Sequence, residues 1–148
     1  MLLCVFYYGC KSPEWDYRLQ IKNNSNLDIY VKSAENYVPI NDTTRVYMNY
    51  WPVNMPDEYK VFSLNSICYR VTSPWEKVFK YRNTDTVTFY IFNANILENT
   101  SWDEVRSKYL VLQKYNISLK DFEFLNWVIT YPPAEEMKDI KMYPPYGK

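Results

Sequence analysis

Thr86-Val87-Thr88-Phe89-Tyr90-Ile91-Phe92-Asn93 is a run of β-branched and aromatic side chains uninterrupted by glycine, proline or charge. Such residues fit a pleated surface better than a helix. Val87, Phe89 and Ile91 fall on one face of the strand this predicts, because successive side chains point to opposite sides. The run makes the chain mainly β, and the flanking sequence repeats the theme. On its N-terminal side, Tyr17, Leu19 and Ile21 alternate with Arg18, Gln20 and Lys22, and Leu27, Ile29 and Val31 alternate with Asp28, Tyr30 and Lys32. Asn23-Asn-Ser-Asn26 lies between, a turn composition in which Asn tolerates left-handed backbone angles. The pair is predicted to form a β-hairpin. Further strands are expected at Thr43–Tyr50, Lys60–Leu64 and Ile67–Val71, with breaks at Trp51-Pro-Val-Asn-Met-Pro56 and Ser73-Pro74-Trp75.

On the C-terminal side the period changes. Ser101-Trp-Asp-Glu104 has capping-box spacing, and Trp102, Val105, Tyr109 and Leu112 recur at helical intervals, predicting a helix over 102–115. A second short helix is expected to start at Ser118, with Leu119, Phe122 and Leu125 on one face, followed by a last strand from Trp127 to Tyr131. Pro132-Pro133 stops it, and the charged, Pro-rich tail 134–148 is expected to be loosely ordered. The fold expectation is an antiparallel β-sandwich, Ig-like topology being one option, with two short C-terminal helices and a final strand.

Composition narrows the chemistry. The chain has 148 residues, enough for one domain with its own core. Its 17 basic and 17 acidic residues balance without a basic stripe, so nucleic acid is not an expected partner. Histidine is absent, which removes Ser-His-Asp and Cys-His catalysis and His-ligated zinc. The two glycines, Gly9 and Gly147, leave no phosphate-cradling loop between them. No cofactor or metal is expected. The excess is aromatic: 16 Tyr, 7 Phe and 5 Trp.

At the other end, Met1-Leu-Leu-Cys-Val-Phe-Tyr-Tyr-Gly-Cys10 is an uncharged, mostly apolar run that gives way at once to Lys11-Ser-Pro-Glu14. The run resembles the end of a bacterial lipoprotein signal, a small residue preceding the cysteine that is acylated. Residues 1–9 then read as a truncated signal without its basic front, 10–133 as one β-rich domain, and Cys10 as the lipidation site. The competing reading is a buried first strand, Leu2–Tyr8; the run is too short to span a bilayer, which needs about 20 residues. Cys4 would leave with the signal and Cys10 carry lipid, which leaves Cys68 as a buried thiol; a Cys10–Cys68 bridge in an oxidising compartment is the alternative.

The segment Tyr109-Leu-Val-Leu-Gln-Lys-Tyr-Asn-Ile-Ser-Leu-Lys-Asp-Phe-Glu-Phe-Leu-Asn-Trp-Val-Ile-Thr-Tyr-Pro132 is similar to the C-terminal signature of small lipoproteins of gut Bacteroidota, in which a helix, a capped turn and a Leu-Asn-Trp strand follow one another. That resemblance implies a lipid anchor in the outer membrane, facing the periplasm or the cell surface, and carries no catalytic residue. Asp42-Thr43-Thr44 and Asp85-Thr86-Val87 also resemble the short sites at which those bacteria O-glycosylate proteins.

Tyr50, Trp51 and Trp75 sit beside prolines in expected loops, where rings could stack on a sugar or grip a peptide; the alternative is that they close the core. Trp15, Trp102 and Trp127 fall in regular elements and are expected to pack. Asp57-Glu58, Asp103-Glu104 and Glu135-Glu136 are the acid pairs a glycan hydrolase would need, but facing carboxyls must lie about 5–9 Å apart, and capping or solvated roles explain them better. The functional expectation is a lipid-anchored, non-enzymatic binding or structural module for a glycan, peptide or envelope protein. A carboxylate glycan hydrolase, or an inhibitor of a partner enzyme, are the alternatives.

Overall fold

A computed structural model describes residues 15–34, 38–48, 59–82 and 84–148. Among them are eight strands and four helices: β1 (Gln20–Asn23), β2 (Ile29–Ser33), β3 (Lys60–Val61), β4 (Ser66–Cys68), α1 (Trp75–Arg82), β5 (Thr86–Asn93), α2 (Ala94–Asn99), α3 (Trp102–Ser107), β6 (Gln113–Ser118), α4 (Leu119–Phe124), β7 (Val128–Tyr131) and β8 (Lys141–Tyr143). They form a five-stranded sheet in the order β3-β2-β5-β6-β8 and a three-stranded sheet in the order β4-β1-β7. The chain is mainly β, as its composition implies.

β5 is the middle of the larger sheet, pairing antiparallel with β2 (Val31↔Ile91) and β6 (Phe89↔Tyr115). It is buried on both faces, which explains why its sequence is nearly continuous in apolar residues. Val87, Phe89 and Ile91 join Leu19 and Ile21 of the β1 segment and Ile129 of β7 in a core that draws on both sheets. Tyr90 and Phe92 point the other way, into a second core closed by Val38, Val46, Met48, Leu97 and Val105.

Three local expectations are corrected. The alternating segments around Asn23 do not form a hairpin: β1 belongs to the smaller sheet and β2 to the larger. Alternation specifies which face is buried and says nothing of the partner strand. Buried Asn23 marks the crossing, donating from its amide to the carbonyls of Leu27 (2.7 Å) and Val61 (3.1 Å). Secondly, the smaller sheet is mixed, because β1 runs antiparallel to β4 but parallel to β7 (Ile21↔Ile129), so the fold is not purely antiparallel. Thirdly, the helix expected over 102–115 stops at Ser107. Tyr109 turns with φ 52° and the chain becomes β6, buried over Gln113–Ile117. Pairing with β5 on a two-faced sheet outweighs a helical spacing that only two turns could use.

The helix at Ser118 is present with its capping box: Ser118 Oγ accepts from Asp121 N, and the Asp121 carboxylate accepts from Ser118 N (2.8 Å). Helices α1 and α2 were not expected. Asn93 caps α2 by accepting from Asn95 N and Ile96 N. Residues 43–48 form no strand, and the rest of that expected strand lies outside the described residues. The tail is not loose: a 3-10 turn at Glu135–Met137 leads into β8, which pairs with β6, and Met137, Ile140 and Met142 are buried.

Segment 38–48 is laid over the larger sheet by polar side chains projecting from it. Lys114 Nζ donates to the carbonyls of Pro39 (2.9 Å) and Asp42 (2.7 Å), and Asn116 Nδ2 donates to Val38 O (2.8 Å). Thr88 Oγ1 donates to Asn116 Oδ1 (3.0 Å). Burial pushes the Lys114 ammonium below its ordinary pKa, and the nearby Asp42 carboxylate partly offsets that.

Candidate functional site

The strands β7 and β8 both end in Tyr-Pro-Pro, at Tyr131-Pro132-Pro133 and Tyr143-Pro144-Pro145, and both Tyr–Pro bonds are cis. Each strand is the outermost of its sheet. Proline cannot extend a ladder, so both chains turn away at this end. Between the two corners lies an open cleft of about 350 Å³, bordered by Leu112, Gln113, Tyr131, Pro133, Pro145, Tyr146 and Lys148 among others. Gln113 Nε2 donates to Pro144 O (2.7 Å), pinning the second corner to the start of β6. Tyr115 Oη donates to Thr130 O (2.9 Å), which ties the two sheets together one residue behind Tyr131. Tyr143 packs edge-on against Tyr109, centroids 6.3 Å apart.

The chemistry of the lining is narrow. Besides Leu112 and Gly147 it consists of phenol rings, pyrrolidine faces, one amide and one ammonium, and no side-chain carboxylate borders it. Burial raises the pKa of the half-buried Tyr131 phenol, which keeps it a neutral hydrogen-bonding group. Such a surface offers flat apolar contact with hydroxyls at its edge.

The residues singled out from the sequence fall elsewhere. Trp75 is corrected: it opens α1 and is 1 % exposed, its ring 5.0 Å from Phe122 and 6.0 Å from Phe89. It therefore closes the core and cannot stack on a ligand. Tyr50, Trp51, Cys10, Asp57 and Glu58 lie outside the described residues. Asp103 and Glu104 occupy the first turn of α3, where Glu104 pairs with Lys108 (2.5 Å), and Glu135 and Glu136 are exposed on the 3-10 turn. Among the described residues no group of His, Cys, Asp or Glu could hold a metal ion. Cys68 is exposed on β4, not buried as expected, because it alternates with Ile67, which takes the face packed on the core. The Thr86 hydroxyl is buried within β5 without a partner among the described residues, which removes it as a glycan acceptor. Asp42 is held down at about 2 by hydrogen bonds from Thr44, then Tyr47.

A second polar cluster ties the start of the domain to α1 and α4. Asp16 accepts from Arg18 and from Trp75 N (3.1 Å), while Arg18 also donates to both oxygens of Glu76. The same guanidinium lies 4.0 Å over the Trp127 ring, which stacks on Phe122 at 5.3 Å. Asn126 and Trp127 both have positive φ, 51° and 62°, an unusual pair for non-glycine residues. Stacking and the backbone bonds Trp127 N to Phe122 O and Gln20 N to Trp127 O hold them there.

The cleft residues were missed in the sequence, where Pro132-Pro133 reads as a stop and the tail as loose. The available signal was the repetition of Tyr-Pro-Pro itself. No protein-family model, curated protein or solved structure matches the chain.

Proposed function

We propose that this protein is a lipid-anchored, non-enzymatic binding module of the cell envelope, held at the outer membrane through Cys10, whose ligand seat is the cleft between the two Tyr-Pro-Pro corners. One observation carries the binding half: rings of Tyr131 and Tyr146 and the faces of four prolines border a cleft free of side-chain carboxylates. Flat apolar faces with hydroxyls at their rim suit a sugar ring, whose C–H face stacks and whose hydroxyls bond outward. A volume near 350 Å³ lies at the low end of small-molecule sites, about 300–1,000 Å³, enough for a short glycan. The anchor rests on the Gly9-Cys10 junction and its resemblance to lipoprotein signals. The core shared by the two sheets supports reading them as the halves of a β-sandwich.

Two experiments test this. Wild type and the Tyr131→Ala, Tyr146→Ala double variant are applied to an array of bacterial and host glycans. Binding lost in the variant supports the seat; equal binding, or ligand cleavage during incubation, overturns it. Feeding cells a clickable fatty acid labels the wild type but not Cys10→Ala; an unlabelled wild type overturns the anchor.

A further inference from the structure

Two short helices carry the same outward pattern. On α1, Trp75 and Phe79 face the core while Tyr81, two residues on, is 80 % exposed; on α4, Phe122 faces the core and Phe124 is 69 % exposed. The inward rings Phe79 and Phe122 meet at 6.0 Å, so the helices lie side by side. Four residues before each outward ring stands a lysine, Lys77 before Tyr81 and Lys120 before Phe124, and exposed residues four apart share a helix face. Lys80 adds a third charge. Among the described residues none of these three lysines is held in an ion pair. The acids nearby are Glu76, engaged by Arg18, the capping Asp121, and the exposed Glu123 and Asp85, the last next to Thr86, which pairs with Ser118 at the cap of α4.

We infer that the outward face of α1 and α4 rests on an anionic membrane surface, with Tyr81 and Phe124 at the headgroup level and Lys77, Lys80 and Lys120 on lipid phosphates. The Tyr81 phenol keeps its hydroxyl wet while its ring and that of Phe124 enter the boundary between headgroups and acyl chains, and lysines extend to the phosphates above buried stems. The position of the chain's entry adds to this. Asp16 is hydrogen-bonded to the first residue of α1, and the six residues back to Cys10 reach at most about 20 Å. A lipid on Cys10 thus keeps this face within contact of the bilayer; in that respect the inference rests on the anchor proposed above. No helix among the described residues could itself cross a membrane, so contact is with the surface.

The orientation has a consequence for the cleft. β6 begins at Gln113, on the cleft, and ends at Ser118, the cap of α4, about 17 Å away. β7 runs from the α4 turn back to Tyr131. The helix face and the cleft therefore lie at opposite ends of the same strands, and a domain resting on α1 and α4 holds its cleft away from the membrane.

Co-sedimentation of the full chain with phosphatidylethanolamine vesicles containing phosphatidylglycerol, against phosphatidylcholine vesicles, tests the surface. The N-terminal run contributes equally to parent and variants, so differences belong to the helix face. Each of Lys77→Gln, Lys80→Gln and Lys120→Gln lowers partition into the anionic vesicles about fivefold, Glu123→Gln raises it, and Tyr81→Ala with Phe124→Ala lowers it about tenfold. The added emission of Phe124→Trp is quenched by brominated phosphatidylglycerol. Equal partition of parent and variants, or an unquenched Phe124→Trp, overturns the inference. Self-association abolished by Tyr81→Ala assigns the face to a second copy and overturns it likewise. A failed acyl label on Cys10 strikes the anchor alone, and the quenching result stands or falls by itself.

Discussion

Replacing Trp75 by alanine removes a ring packed among Tyr69, Phe79, Phe89 and Phe122. Deleting a fully buried aromatic side chain costs about 3–5 kcal/mol, and the expected outcome is a shift of that size in urea unfolding. Asp16 carries a different, pH-dependent contribution. Its burial favours the neutral acid, but hydrogen bonds from Arg18 and Trp75 N outweigh that and hold its pKa below 3.8; Arg18 likewise draws Glu76 below 4.5. A carboxyl depressed in the folded state stabilises above its unfolded pKa and loses that contribution as pH falls through the folded value. Asp16→Asn is therefore expected to cost about 1–2 kcal/mol at neutral pH, allowing for the partial exposure of Arg18. The difference between variant and wild type should begin to shrink near about pH 4 and vanish once the pH has fallen through the folded pKa of Asp16, which lies below 3.8.

At the scale of elements, the buried polar face of β6 decides how segment 38–48 is held. Lys114→Met keeps the length of the side chain and removes a desolvated charge, while deleting the bonds to Pro39 and Asp42. Losses and gains of this kind nearly cancel in global stability. The expected result is a change under about 1 kcal/mol in unfolding together with faster amide hydrogen exchange confined to 38–48. Uniform exchange across that segment in both proteins would show that the latch does not hold it. The capping box at α4 is simpler: Ser118→Ala leaves Asp121 N without its side-chain acceptor and costs about 1 kcal/mol, read from the denaturation midpoint. Both elements were partly legible. Ser118 and Asp121 announce a helix start by local chemistry, which needs no knowledge of the rest of the fold. Helix α1 was hidden because Pro74 and Trp75 read as a break, although proline just before a helix is compatible with its start.

For the whole molecule, the last strand matters most. Met137, Ile140 and Met142 are buried and β8 covers β6, so a chain ending at Ala134 gives up about 5 kcal/mol or more of apolar burial. Domain stabilities are typically about 5–15 kcal/mol. That truncation is expected to lose cooperative unfolding in calorimetry; a retained sharp transition would return the tail to the status of an appendage. The two-faced burial of β5 is also a property of the whole, since segment 38–48 and helices α2 and α3 supply its second cover.

The sequence by itself determined the class and the local chemistry: β-rich because of runs such as Thr86–Asn93, capped at Ser118, with a strand ending at Tyr131 that is not the last, and without histidine or glycine-loop chemistry. These depend on side-chain shape and neighbours within a few residues. Only the tertiary structure decided that the segments flanking Asn23 serve different sheets, that β7 lies parallel to β1, that Trp75 points inward, and that two distant Tyr-Pro-Pro corners share one cleft. Each of those is a choice of partner between segments far apart in the chain, made by packing complementarity across the core, and an alternating pattern states only which face is to be buried.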